Sequence, residues 1–299
     1  MGRKLGRWLA SVLCVGIFLS GNASGAEGGI VLPKPQSQFR VERGVSYLDE
    51  GRAEKADLYL PAGRMSGQAR GALVFIHGGG FFSGRRDGER EEAICVSLVC
   101  EGYVVMSIDY QLAVEGMAVW PENLYDCKRA VMWLRNNASQ FGVNPERIGV
   151  MGASAGGHLA AMVAVTGPGD NLEPPGALAG VSSRVACCVD LYGPSDLTLF
   201  SRLSMMGPCL AEAPELYRRA SPVYFASAED PPVLLLHGVK DDNVPAEHSF
   251  ALDIALRRAG ASCRLELLDG LGHGFDLEPP GKDLRPLVRE FLGSHLLRP

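Results

Sequence analysis

The sequence predicts an α/β protein with a mostly parallel central sheet covered by helices on both faces, and three observations lead there. Continuous apolar runs of strand length recur along the chain, of the kind buried on both faces of a sheet. Segments of helical periodicity separate most of them. Two of the runs, Gly71 to His77 and Arg147 to Met151, pass directly into glycine-rich turns, Gly78-Gly79-Gly80 and Gly152-Ala153-Ser154-Ala155-Gly156. Turns at the carboxyl ends of parallel strands lie where open α/β sheets hold their ligands.

The elements follow in order. Phe39 to Leu48 and Ala56 to Leu60 alternate and carry β-branched or aromatic residues, so they read as antiparallel edge strands closed by Pro61. Gly71 to His77 is a buried strand. Glu89 to Glu101 has helical spacing with Gly102 as its stop. Tyr103 to Ile108 is the next buried strand and ends in Asp109-Tyr110. Pro121 to Phe141 reads as one long amphipathic helix, with Leu124, Cys127, Val131 and Leu134 on a common face. The strand to Met151 and a helix after Ser154 come next, then strands at Arg184 to Leu191, Val233 to His237 and Cys263 to Leu268. The stretch Asp196 to Tyr217 breaks the alternation, with Phe200, Met205, Met206 and Leu210 among Pro and Ser. It fits a surface helix plus loop and a small cap over the serine equally well.

At 299 residues, 46% of them hydrophobic, the chain suits one large domain at 39–299. A net charge of −5, with no basic run beyond the first residues, gives nucleic acid nothing to bind. Residues 1–26 have the pattern of a signal peptide: Arg3, Lys4 and Arg7, then apolar Trp8 to Leu19, then small residues ending at Ala26. The apolar run is too short to span a bilayer well, so the mature protein is expected to be periplasmic or secreted, without a stable membrane anchor. Residues 27–38 read as a flexible lead-in. Of eight cysteines, Cys14 leaves with the signal, and the odd number remaining means that at least one is unpaired within the chain. Adjacent Cys187 and Cys188 point to opposite sheet faces and belong to the core. Export permits disulfides among Cys95, Cys100, Cys127, Cys209 and Cys263 without demanding them. No C-x-x-C spacing supports a metal site.

The chemistry centres on Ser154. A serine on a sharp strand-to-helix turn is held in strained backbone, and larger side chains at Gly152 or Gly156 would collide there. Its hydroxyl then stands at a helix N-terminus, where free N–H groups and the helix dipole favour developing negative charge. Gly78 to Gly80 alone would fit a flexible loop; beside the serine turn they become half of an oxyanion hole. The hydroxyl needs a base, and the base a carboxylate. Among six histidines, His77 belongs to the glycine loop, His158 to the helix after the serine, His237 to the end of a strand, His248 to a helix after Pro245 and His295 to the tail. His273 lies past the last strand between Gly272 and Gly274 and is the best placed base. Asp241 and Asp242 share a tight loop after the strand ending at His237, and Asp269 and Asp276 flank the histidine, so order alone leaves the acid open.

Together HGGGF (His77 to Phe81), GASAGGHLA (Gly152 to Ala160), HGVKDDNVP (His237 to Pro245) and GLGHGF (Gly270 to Phe275) resemble the α/β-hydrolase esterase/lipase family. The similarity runs from about Tyr59 to the last helix and is nearest to the hormone-sensitive-lipase-like group and the bacterial acetyl xylan and feruloyl esterase-like proteins. It implies an α/β-hydrolase fold, Ser154 as nucleophile, Asp241 as acid, His273 as base, and Gly79, Gly80 and Ala155 as backbone donors to the oxyanion. It implies hydrolysis of carboxylic esters through an acyl-enzyme, with no metal or organic cofactor. The expected substrate is a small-molecule or polysaccharide ester with a short acyl group, such as acetyl, or a feruloyl group. Ala153, and Gln111 after Asp109-Tyr110, depart from the hormone-sensitive-lipase type, where many relatives carry Asp and Arg. An amidase or exopeptidase is the rival within the fold, and a non-catalytic binding module the rival outside enzymes.

Overall fold

The computed structural model describes residues 38–63, 69–115, 117–176, 178 and 180–297. The expected signal peptide, Cys14 and nearly all of the expected lead-in lie outside the described residues. Eight strands are described: β1 (Phe39–Val45), β2 (Ala56–Pro61), β3 (Arg70–Ile76), β4 (Val104–Ile108), β5 (Val143–Ala153), β6 (Cys188–Leu191), β7 (Val233–Gly238) and β8 (Cys263–Leu268). They form one sheet in the order β1-β2-β4-β3-β5-β6-β7-β8. β2 is antiparallel to both β1 and β4, and all other pairings are parallel. The expected antiparallel strands thus stand at one edge of a parallel sheet.

The α-helices are α1 (Glu89–Cys100), α2 (Glu122–Asn136), α3 (Ala138–Phe141), α4 (Ala155–Val165), α5 (Pro214–Arg219), α6 (Glu247–Ala259) and α7 (Arg285–Leu292). β3 explains the continuous apolar runs. Ala72, Val74 and Ile76 pack in the cluster that includes α2, α4 and α6, while Leu73 and Phe75 pack with α1 and α7 on the other face. Each face needs apolar residues, so alternation disappears. Cys187 and Cys188 fall into these two opposite clusters, as their adjacency requires. The seven cysteines among the described residues are unpaired in the structure.

Several bounds differ from the sequence reading: β1 ends at Val45 and not at Leu48, β5 is longer than the expected Arg147 to Met151 at both ends, and a helix and β6 differ as well. The long helix over Pro121 to Phe141 is parted at Asn137, whose side-chain amide donates to the Trp133 carbonyl at 2.8 Å alongside its own N–H at 3.0 Å. Asparagine side chains compete in this way for backbone groups that a helix would use, and the pattern of apolar positions does not register it. β6 begins at Cys188 and not at Arg184: the Arg184 carbonyl accepts from the Arg135 guanidinium, and backbone pairing with β5 starts only with the Ala186 N–H on the Ile148 carbonyl at 2.8 Å.

Asp196 to Tyr217 is mostly loop and runs into a single α-helix, α5, at Pro214. It forms short 3-10 turns at Leu197–Leu199 and Ser204–Met206 before α5. The Met205 carbonyl accepts from Val119 (3.0 Å) and Trp120 (3.1 Å), and Ser204 Oγ donates to the Gly80 carbonyl at 3.2 Å. The segment therefore touches the glycine loop after β3. Serine turn, glycine loop, aspartate loop and histidine loop all emerge from the carboxyl ends of β5, β3, β7 and β8.

Candidate active site

Ser154 sits between β5 and α4 with φ 56° and ψ −121°, a left-handed backbone that non-glycine residues seldom adopt. The expected collisions are real. A Cβ on Gly152 would lie 2.1 Å from the Gly156 carbonyl oxygen, and one on Gly156 would lie 2.1 Å from that of Ile76. The second glycine is thus required by the end of β3 and not by the turn itself. The Ser154 N–H donates to the Leu191 carbonyl at 2.8 Å, which ties the turn to β6.

His273 is brought to the serine, with Nε2 2.8 Å from Ser154 Oγ. Its Nδ1 lies 2.6 Å from Asp241 Oδ2. Asp241 is buried, and its other oxygen accepts the N–H groups of Asn243 (3.0 Å) and Val244 (2.9 Å). Of the other carboxylates that order left open, Asp242 and Asp269 are exposed, and Asp276 accepts from the Glu278 N–H at 2.8 Å. The two loops are tied together, since the Lys240 N–H donates to the Leu271 carbonyl at 2.8 Å.

The glycine loop is ordered by its own bonds. Phe82 N–H (3.2 Å) and Ser83 N–H (2.9 Å) both donate to the Gly79 carbonyl. Gly79 has φ 122°, and a Cβ there would lie 2.0 Å from the Ser83 carbonyl oxygen. Among the described residues, the N–H groups of Gly79 and Gly80 have no backbone partner. The Ala155 N–H is in the first turn of α4, where helix donors have no partner within the helix. These donors, Ser154 and His273 lie in and around an open cleft of about 670 Å³ that Phe82, Arg90 and Val244 also line.

The remaining histidines make other contacts, although His237 Nε2 also lies 3.4 Å from Asp241 Oδ2. His77 Nδ1 meets the Gly78 carbonyl at 2.6 Å and its ring stacks on Tyr110. His158 is fully buried, with Nδ1 2.9 Å from the Pro194 carbonyl, and burial pushes its pKa down to about 4. His237 spans Ser249 Oγ (2.7 Å) and the Val244 carbonyl (2.8 Å), and burial lowers its pKa as well. His248 receives the N–H groups of Ser195 and Asp196, both at 3.3 Å. His295 packs against Phe291. Among the described residues no group of three or more His, Cys, Asp or Glu side chains is arranged to hold a metal ion.

Sequence reasoning did not find the ion network behind the glycine loop. Asp57, fully buried on β2, accepts from Arg43 (2.7 Å), Arg86 (2.8 Å) and the Gly44 N–H (2.9 Å). Arg86 also reaches Asp109, whose other oxygen accepts the Arg86 N–H at 2.9 Å. The signal was present: Asp57 is the one charge in an otherwise apolar strand, and buried carboxylates need such partners. Arg86, which follows the glycine loop, is thereby fixed to the ends of two strands.

A parallel sheet with a serine turn, a glycine loop and a histidine loop at its carboxyl edge is the arrangement of the α/β-hydrolase esterases. The BD-FAE family model matches residues 56–256, and the chain belongs to that esterase family. It is similar to Esterase LipQ of Mycobacterium tuberculosis, 30% identical over 278 residues that make up 88% of this chain and 64% of LipQ. The chain spans between about half and two thirds of the length of the mycobacterial esterases it matches. Among solved structures it is similar to a truncated carbohydrate esterase from gut microbiota, with 26% identity, a TM-score of 0.75, and coverage of 87% of this chain and 98% of that one. It is also similar to Thermogutta terrifontis esterase 2 phosphorylated by paraoxon, with 27% identity, a TM-score of 0.70, and coverage of 88% and 96%. That esterase has also been solved with butyrate bound.

Beneath the serine turn lies Asp190 of β6, only 2% exposed, which accepts the Gly193 N–H at 2.8 Å. A Cβ on Gly157 would fall 2.2 Å from its Oδ1, so α4 packs directly onto the carboxyl. Burial pushes the Asp190 pKa from 3.8 up to about 7. Between those values the unfolded chain is ionised at this position while the folded chain stays protonated, so this residue's contribution to stability is lost as pH rises through that window. Asp190→Asn removes the titration. Urea unfolding at about pH 5 and about pH 8 is expected to show the variant gaining stability relative to the parent at the higher pH. A difference that does not change with pH would contradict the burial of this carboxyl.

Proposed function

We propose that this protein hydrolyses carboxylic esters through an acyl-enzyme on Ser154. The observation that carries the reading is the continuous line of hydrogen bonds from Ser154 Oγ through the His273 ring to Asp241, in the same cleft as glycine-loop N–H groups that have no backbone partner among the described residues. In this mechanism Ser154 Oγ attacks the ester carbonyl and its proton passes to His273 Nε2. Asp241 holds the Nδ1 tautomer and stabilises the imidazolium, while its own position is fixed by two backbone donors. Gly79, Gly80 and Ala155 donate to the tetrahedral oxyanion, where loss of one donor typically lowers kcat by about 10²–10³. The alcohol leaves with the proton from Nε2. Water then attacks the acyl-serine while its proton passes to His273 Nε2; the bond to Ser154 Oγ breaks, the proton returns to Oγ and the carboxylic acid leaves.

The acyl group in this reading is short, the alcohol is a carbohydrate hydroxyl, and the enzyme itself is exported. Several observations support it: a cleft walled largely by glycines and polar side chains, the carbohydrate esterase among the solved relatives, and the butyrate held by another. The signal-like pattern of residues 1–26 supports export. The mature chain, beginning at Glu27, is expected to turn over acetate and butyrate esters about tenfold faster or more than long-chain esters, and to release acetate from acetylated xylan. Faster turnover of long-chain esters would reject this substrate class.

Asp241→Asn and Asp242→Asn separate the two adjacent carboxylates. The first keeps the loop's shape but offers the wrong group to Nδ1, and kcat is expected to fall on the order of 10⁴. The second alters an exposed side chain, and kcat is expected to stay within about threefold of the parent. The opposite ranking would move the acid role to Asp242.

A further inference from the structure

His273 stands between two glycines, so its own loop does little to fix it. What holds it is a pair of anchors on the carbonyls two residues to either side. Upstream, the Leu271 carbonyl accepts the Lys240 N–H at 2.8 Å, from the loop that carries Asp241. Downstream, the Phe275 carbonyl accepts the hydroxyl of Tyr192 at 2.7 Å.

The geometry points to Tyr192 as a positioning residue that aims His273 at Ser154, a role that rests on the ester-hydrolysis reading above. Tyr192 is fully buried, and its ring meets the His273 ring edge-on at 4.8 Å and the Phe275 ring at 4.5 Å. Its backbone has φ 47°, left-handed for a bulky aromatic residue. Strain of that kind persists where surrounding structure enforces it, and functional sites collect it. Here the enforcement is visible. The Tyr192 N–H donates to the Leu236 carbonyl of β7 at 2.8 Å, and the preceding carbonyl, Leu191, holds the Ser154 N–H at 2.8 Å. One dipeptide therefore fixes the nucleophile through its backbone and the base through its side chain. Arg90, in the wall of the cleft, donates to the same hydroxyl at 3.5 Å. Burial raises the phenol's pKa, so the hydroxyl stays protonated and able to donate to Phe275.

Tyr192→Phe keeps the ring and removes only the hydroxyl anchor. In the full mature protein, kcat for a short-chain ester is expected to fall about tenfold, the rate equivalent of one neutral hydrogen bond, with KM within about twofold. The deshielded Nδ1–H proton resonance of His273 is expected to broaden or shift, because the imidazole samples more orientations. Phe275→Leu, which removes the ring contact but leaves the carbonyl anchor, is expected to lower kcat less than Tyr192→Phe does. Unchanged kcat and an unchanged resonance in folded Tyr192→Phe would overturn the inference. So would a kcat loss matched by loss of folded protein with the resonance intact, since that marks a structural role alone. Ser154→Ala run alongside keeps the two claims apart. Activity retained in Ser154→Ala sinks the ester-hydrolysis reading itself, whereas an inactive Ser154→Ala with unaffected Tyr192→Phe sinks only the role of Tyr192.

Discussion

A serine held with left-handed backbone between a strand and a helix is a conformation that the chain adopts only under constraint, and much of the site follows from how that constraint is met. Gly152 and Gly156 let α4 and the end of β3 come within contact of the turn, closer than any side chain would allow. The Leu191 carbonyl takes the Ser154 N–H. The close approach to β3 also sets the neighbourhood. β3 runs straight into the glycine loop, so the close approach that forbids a Cβ on Gly156 also brings that loop to the cleft that Ser154 lines.

Asp241 and His273 depend on the same sheet edge but are held differently. Asp241 is buried and accepts two backbone N–H groups through one oxygen, which leaves the other for the imidazole. That arrangement keeps a buried carboxylate satisfied while aiming it. The nearby His237 and the helix-borne His158 are lowered by burial and engaged by backbone carbonyls, which leaves His273 as the one imidazole that reaches the serine among the described residues.

The strands and the serine turn were legible in the sequence because they are written in local patterns. Apolar runs mark strands that are covered on both faces, and glycines bracket a turn where backbone meets backbone. His273 was legible through chain order and its flanking glycines. Asp241 was not separable from Asp242 by spacing, because the choice depends on loop geometry that puts one side chain inward and its neighbour in solvent. Tyr192 and the network of Asp57, Arg43, Arg86 and Asp109 were not found either. Their partners lie far away in sequence, and a tyrosine at the end of a strand reads as ordinary core. The break at Asn137 was hidden for a related reason, since a side chain that competes for a helix carbonyl leaves the apolar periodicity unchanged.

In the proposed mechanism the acyl group is transferred to Ser154 during turnover. Mass analysis of enzyme quenched in acid while it hydrolyses a slowly deacylated ester tests it most directly. The expected result is a mass increase of one acyl group on the peptide that contains Ser154, absent from Ser154→Ala. Steady turnover with no adduct under conditions where deacylation is slow, or an acyl group found on a different residue, would rule out an acyl-enzyme on Ser154.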